Sequence, residues 1–374
     1  MLDFAHLTLL IGPAVPVPAP LPVMEALQRV EVTSSLERTG FQLTFAMGKS
    51  SPLQLALLPA GFFDPIATRV IVMVTFRGVP NVLLDGIITR HELAPGSDPG
   101  QSTLTVTGED LTVMMDIVQR QMVWYAMPEV AQLNAILGTY AGFGIKPVVV
   151  PPPVITAKLP VDKADTQTGS DLSYVRGIAA QSGYVFFIEP GPLPLTSIAY
   201  FGPDFRVPVA QPALTTNSEW NTNVESLSFS LDGLAKKVLV LYVFDPATRK
   251  IPIPVPVPNI SPIHPPLGAR LTPPARIEFS DDTAALAPDE AAKRAFGFMR
   301  EGADAITGSG TLDVSRYGHI LKPRALVGVR GAGLSYDGLY YVNSVTHTMR
   351  RGEYKQSFQL SRDGLGSLTP VVPP

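Results

Sequence analysis

A mainly β fold with one small α/β unit inserted into it is predicted by three observations. Proline and glycine are abundant, 38 and 31 residues in 374, which is too much punctuation for a helical bundle or coiled coil. Hydrophobic residues make up 45% of the chain, too many for a disordered one. Apolar residues recur with the two-residue period of strands over most of the length. The length itself exceeds what one core usually supports, so two or three domains are expected. Charged residues are only 16% of the chain, against about 25% in an average globular protein.

The counts also exclude function classes. A formal charge of −3 leaves no basic excess to neutralise a phosphate backbone, which argues against nucleic-acid binding over a broad surface. Without cysteine there is no disulfide framework, thiolate zinc site or cysteine nucleophile, and the chain is compatible with a reducing cytoplasm.

Taken in order, residues 1–23 read as a proline-rich N-terminal arm. The apolar run Phe4 to Met24 follows an acidic start and is broken by Pro13, Pro16, Pro18, Pro20 and Pro22, so it is neither a secretion signal nor a membrane helix. No later apolar run approaches the ~20 residues of a membrane span.

Residues 24–116 form the first β domain, a compact antiparallel barrel or sandwich. Phe41, Leu43, Phe45 and Met47 share one strand face, and Val70 to Phe76 is apolar on both faces, as a central strand is. Residues 117–200 form the inserted α/β unit. Its helices run from Glu129 to Ala141 and from Asp171, read as an N-cap, to Gly183; the strand Tyr184 to Ile188 follows.

Residues 201–366 form the second β domain. It includes a proline-rich excursion at 251–274, read as unable to join a ladder centrally, and a helix at 288–303. Its last hairpin has arms Leu339 to Met349 and Tyr354 to Leu360. Residues 367–374 form a C-terminal tail.

No constellation argues for catalysis. His91-Glu92 lacks the second histidine of a zinc-peptidase helix, with Pro95 at the required position. Asp313, Ser315, Tyr317 and His319 invite a hydrolase reading, but no Gly-x-Ser-x-Gly elbow exists, and surface loop groups are expected. Gly308-Ser309-Gly310 lacks the spacing of a phosphate loop and reads as a flexible turn. Asp281-Asp282 reads as a helix-start or loop pair rather than as paired acids for sugar hydrolysis. No catalytic, cofactor-binding or metal residue is assigned, no cofactor is expected, and the protein reads as a non-enzyme. In the terminal hairpin, alternation places Tyr341, Val345, His347 and Met349 on one face, with Tyr354 and Phe358 across the turn. That face reads as core and as a candidate subunit interface.

Two stretches resemble a known family. Asp171-Leu172-Ser173-Tyr174-Val175-Arg176-Gly177-Ile178-Ala179-Ala180-Gln181-Ser182-Gly183-Tyr184-Val185-Phe186-Phe187-Ile188-Glu189 is one, and Gly338 to Met349 continuing through Gly352 to Arg362 is the other and the more specific. They are similar to phage late control D and VgrG-type baseplate hub proteins of contractile tails and contractile injection systems, over about residues 24 to 366. The resemblance implies two tube-like antiparallel β-barrel domains per chain and a homotrimer that forms a pseudo-sixfold ring. It further implies a structural hub that adapts the hexameric inner tube to a threefold spike, nucleates tube assembly and is assembled in the cytoplasm as part of a baseplate.

The partners so implied are other copies of the chain, the inner tube protein, other baseplate subunits and a separate spike protein, since the sequence stops eight residues after Gly366. The family-motif and interface candidates are Tyr174, Tyr184, Phe186, Tyr341, His347, Tyr354, Gln356, Phe358 and Arg362. A glycan-binding or glycan-hydrolysing β protein of the tail tip is the alternative.

Overall fold

The computed structural model describes residues 5–36, 38–48, 51–96, 102–125, 127–152, 165–204, 206, 209–217, 221–244, 252–258, 265–280, 288–300 and 304–368. The first β region holds β1 (Ala5–Gly12), β2 (Val17–Pro18), α1 (Leu21–Ala26), β3 (Leu27–Ser35), β4 (Thr39–Met47), β5 (Arg69–Phe76), β6 (Val79–Ala94) and β7 (Ser102–Asp110). The α/β unit follows as β8 (Gln119–Trp124), α2 (Glu129–Gly138), β9 (Ile145–Val149), β10 (Asp165–Ser170), α3 (Asp171–Gln181), β11 (Val185–Pro190) and β12 (Ser197–Gly202). The second β region begins with β13 (Gln211–Thr215), β14 (Ser226–Leu231), β15 (Lys237–Phe244), β16 (Pro252–Pro258), β17 (Gly268–Leu271), β18 (Arg276–Ser280) and α4 (Pro288–Arg300). It ends with β19 (Ile306–Asp313), α5 (Val314–Tyr317), β20 (Leu326–Arg330), β21 (Gly338–Arg350), β22 (Glu353–Arg362) and β23 (Gly364–Ser367).

One large sheet runs β14-β19-β22-β21-β3-β4-β7-β6-β5-β1-β2, with β20 and β13 branching from β21. Its centre is the antiparallel pairing of β21 with β3, from Ser344 opposite Ser35 to Arg350 opposite Arg29. Two closed barrels are not what forms: among the described residues no sheet closes, because the edge of β3 is taken by β21 from the far end of the chain. A single core lies under this sheet, with Val32, Leu43 and Phe45 from one region meeting Val345, Tyr354 and Leu360 from the other. Each such side chain stabilises the fold by about 1.5–3 kcal/mol through burial. A second core, built on Leu133, Leu137, Val175, Ile178 and Phe201, belongs to the α/β unit and takes in Ile87 and Leu111 of the first region.

Several expectations need correction. The N-terminal arm is not free at Ala5–Gly12, which pairs along its whole length with β5 and buries Leu9 and Ile11. The prolines begin only at Pro13, after this strand has ended. The proline-rich excursion stays out of the centre of any ladder, as expected, but pairs at an edge: β16 lies against β15 from Val238 opposite Pro258 to Phe244 opposite Pro252. Its prolines, 252, 254, 256 and 258, fall at every second position of an edge strand. Successive peptide groups point to opposite sides of a strand, so all four donor-less nitrogens turn to the open edge while Ile253, Val255 and Val257 face β15. The N-cap of α3 is Ser170, whose hydroxyl accepts from the Ser173 N–H, one residue before the expected Asp171.

Gly308-Ser309-Gly310 is not a turn but the middle of β19. A Cβ on Gly310 would lie 2.7 Å from Cζ of Phe358, so the missing side chain makes room for that ring. In β21 the register slips between Val342 and Ser344. This bulge turns Tyr341 to the face opposite Val345, His347 and Met349, contrary to strict alternation. Asp281-Asp282 lies outside the described residues.

Candidate functional site

The first motif builds the floor of the α/β unit. Leu172, Val175, Ile178 and Ala179 turn one face of α3 into its core. On the flank, the Tyr174 hydroxyl donates to Gln132 Oε1 at 2.6 Å, while Gln132 Nε2 donates to the Met127 carbonyl at 2.7 Å. Burial raises the Tyr174 pKa. Tyr184 stacks edge-on against Phe201 at 5.7 Å and donates to the Pro151 carbonyl at 2.9 Å. Phe186 is buried beside them.

The terminal hairpin builds a second network. His347 lies opposite Gln356, Met349 opposite Tyr354 and Val345 opposite Phe358. His347 Nδ1 and the Tyr354 hydroxyl share a 2.8 Å hydrogen bond, and burial pushes the imidazole pKa down to about 4, so the ring is neutral. The Gln356 amide closes on the backbone of Leu321, accepting from its N–H at 3.0 Å and donating to its carbonyl at 2.8 Å. Arg362 is completely buried over the Tyr340 ring and donates to the carbonyls of Asp337 and Ser335. On the other face, the Tyr341 hydroxyl donates to Asp204 at 2.5 Å, under an Arg206 guanidinium that is bidentate to Asp304.

Of the nine motif residues, only Tyr174 keeps partial exposure; the others are covered within their own chain. Within the single chain, Tyr341, His347, Tyr354, Gln356 and Phe358 are packed into the interior. These residues fix the framework, and the surfaces lie elsewhere.

Three exposed surfaces were not singled out in the sequence. The small sheet β16-β15-β18 rests one face, with Leu241 and Val257 buried, on the side of α4. Its other face carries Tyr242 stacked on Phe279, with Ile277 and the prolines of β16 in line, and Ile277 and Phe279 are 66% and 62% exposed. The period-two spacing of Ile277 and Phe279 was the available signal. A second group of exposed apolar residues, Ile117, Val118, Met122, Val123, Tyr125 and Met127, lies on β8 and its flanks. Patches of this kind on a solvated protein mark contact surfaces.

The third surface is the outer face of the large sheet. Across five strands, Ser226, Thr311, Ser357, Thr346 and Thr33 lie in one row. Their hydroxyls bond to each other at Ser226–Thr311 (2.8 Å) and Thr33–Thr346 (3.0 Å). This row is polar and uncharged.

The chemical candidates stay apart. His91 sits on strand β6 with Nδ1 3.2 Å from the Phe63 carbonyl, and Asp313 caps α5 by accepting from Ser315. Among the described residues, no group of three or more acidic or histidine side chains could hold a metal.

No family model matches the sequence, and no curated protein does. Solved structures do match. A tail protein from Neisseria meningitidis is similar with a TM-score of 0.59 and 14% identity, covering 97% of this chain and 98% of its own. The chain has a phage tail-protein fold. A 43 kDa tail protein of a Shewanella oneidensis prophage gives a TM-score of 0.61 and 14% identity over 96% of this chain and 99% of its own. A Francisella PdpA–VgrG complex gives 0.57 and 8% identity over 100% of this chain and 60% of the matched one. The tail-protein fold thus accounts for both β regions and the α/β unit together. No helix is long and apolar enough to cross a membrane among the described residues.

Proposed function

We propose that this protein is a structural baseplate hub of a contractile tail or contractile injection system. In this reading three copies form a ring that joins a hexameric inner tube to a threefold spike. The observation that carries it is the end-to-end match to tail proteins, 97% of one chain against 98% of the other. The large sheet supports the same reading. It fuses two β regions into one rigid wall, the sort of element a ring subunit repeats around an axis. The apolar face of β18 and the exposed apolar residues of β8 are then contacts to neighbouring subunits of the baseplate, and the protein catalyses no reaction.

The test is mass in solution, for the purified chain and for the chain with its spike. A particle three times the 40.1 kDa chain supports the hub. A monomer under both conditions, or release of sugars from peptidoglycan, overturns it in favour of a glycan-active protein of the tail tip.

A further inference from the structure

At one end of the large sheet the core opens to the surface between β1, α1, β3 and the β21–β22 turn. The opening is a pocket of about 320 Å³. Its walls are Leu7, Leu21, Met24, Leu27, Met349 and Tyr354, an apolar lining of the kind that receives a ligand's hydrophobic part. Leu21 stands 70% exposed at the lip, although a full apolar core lies next to it.

The rim is basic. Arg29 and Arg350 are direct cross-strand partners in the β3–β21 ladder, and Arg351 follows in the turn. Like charges placed opposite one another destabilise a sheet, so this pairing needs a compensating anion. Arg29 finds one in Glu31 at 2.7 Å. Arg351 does not engage the carboxylate of Glu25 but donates to its backbone carbonyl at 2.7 Å. The Arg350 guanidinium makes no ion pair or hydrogen bond among the described residues, although Glu353, bound to Lys355, is its cross-strand neighbour in the β21–β22 ladder. Three arginines, 29, 350 and 351, and one glutamate, Glu25, thus line an open apolar pocket, which leaves its rim with a net positive charge in a chain of net charge −3.

We propose that this pocket docks a segment of a partner protein in which a bulky apolar side chain is flanked by carboxylates. The apolar group fills the space between Leu7, Met24 and Met349, and the acids pair with Arg350 and Arg351. Charge complementarity selects an acidic segment, and the small volume selects one or two side chains rather than an extended chain.

The test uses the full chain and fluorescein-labelled hexapeptides, read by anisotropy. The probes are Asp-Glu-Phe-Leu-Glu-Asp, a version with Ser-Ser for Phe-Leu, and a version with lysine for every acid; dodecanoate serves as a competitor. The acidic apolar peptide is expected to bind, more weakly as salt rises, and the double variant Arg350→Glu/Arg351→Glu to lose about tenfold or more in affinity. Arg350 is the exposed last residue of β21 and Arg351 the exposed first residue of the turn, and Leu21→Asp at the lip gives an independent variant with the same expected loss. Equal binding of the lysine peptide, unchanged affinity in both variants, or binding of dodecanoate without binding of the acidic peptide overturns the proposal. These readings are made on the isolated chain, so their failure leaves the trimer test untouched.

Discussion

Arg69 and Asp85 form a buried, bidentate ion pair. Nε and NH2 of Arg69 donate to the two carboxylate oxygens at 2.7 and 2.6 Å, and NH2 also donates to the Phe143 carbonyl at 2.8 Å. Strands β5 and β6 are thereby tied to the α/β unit. Burial pushes the Asp85 pKa up, and the guanidinium opposes that shift. Asp85→Ala strands a buried cation and is expected to cost about 3–5 kcal/mol in urea unfolding. The double variant Arg69→Met/Asp85→Leu should cost less than either single change. A double variant as unstable as Asp85→Ala would show that the anchoring to Phe143, not the charge balance, is what the site supplies.

Two buried titrating groups act in opposite directions on acid stability. The His347 pKa is depressed to about 4, so its contribution is present above its unfolded value of 6.5 and is lost as pH falls toward 4. The Asp110 pKa is raised to about 6 by burial, so its contribution is present below 3.8 and is lost as pH rises through 6. Each amounts to about 3 kcal/mol, and between pH 4 and 6 they nearly cancel. Relative to the parent, Asp110→Asn should therefore lose stability on acidification from pH 6.5 to 4.5, while His347→Gln should gain it. Urea midpoints at three pH values check both signs.

Gln356 satisfies both backbone groups of Leu321 from a fully buried position. Gln356→Leu leaves a buried N–H and carbonyl unpaired, at about 1–3 kcal/mol for each. A drop in Tm without loss of strand content in circular dichroism is the expected result.

The proline spacing of β16 gives a position-specific prediction. Val255→Pro removes a donor that faces β15 and should cost about 1–3 kcal/mol, with faster hydrogen exchange across Leu239 and Leu241. Pro256→Val faces the open edge and should change stability by no more than about 0.5 kcal/mol. Equal effects at the two positions would contradict the edge geometry.

Much of the fold was legible because periodicity reports burial. The apolar run Val70 to Phe76 became a buried strand between β1 and β6, and the terminal hairpin appeared as read. The residues that failed did so for identifiable physical reasons. Five prolines after Gly12 obscured the alternation of the strand before them. The β21 bulge inserts one residue without altering composition, so Tyr341 changed faces unannounced. The partner of β3 lies more than 300 residues away, beyond any local signal. At the candidate site, the motif aromatics looked like recognition groups because aromatic residues serve both cores and interfaces. Their enclosure within the single chain, by Leu321, Asp204 and Pro151, is not visible in the sequence.

The pairing of β3 with β21 also sets an order of events during synthesis. When β3 is synthesised, the strand that will cover its edge lies about 300 residues further along the chain. Throughout that interval β3 presents an open row of donors and acceptors over an incomplete core, a template for mispairing with other nascent chains. Loop closure over that distance is slow, so the seam is expected to form late. A ribosome stalled near residue 338, or a truncation just before it, would leave a chain that has most of its strands and no means of sealing them.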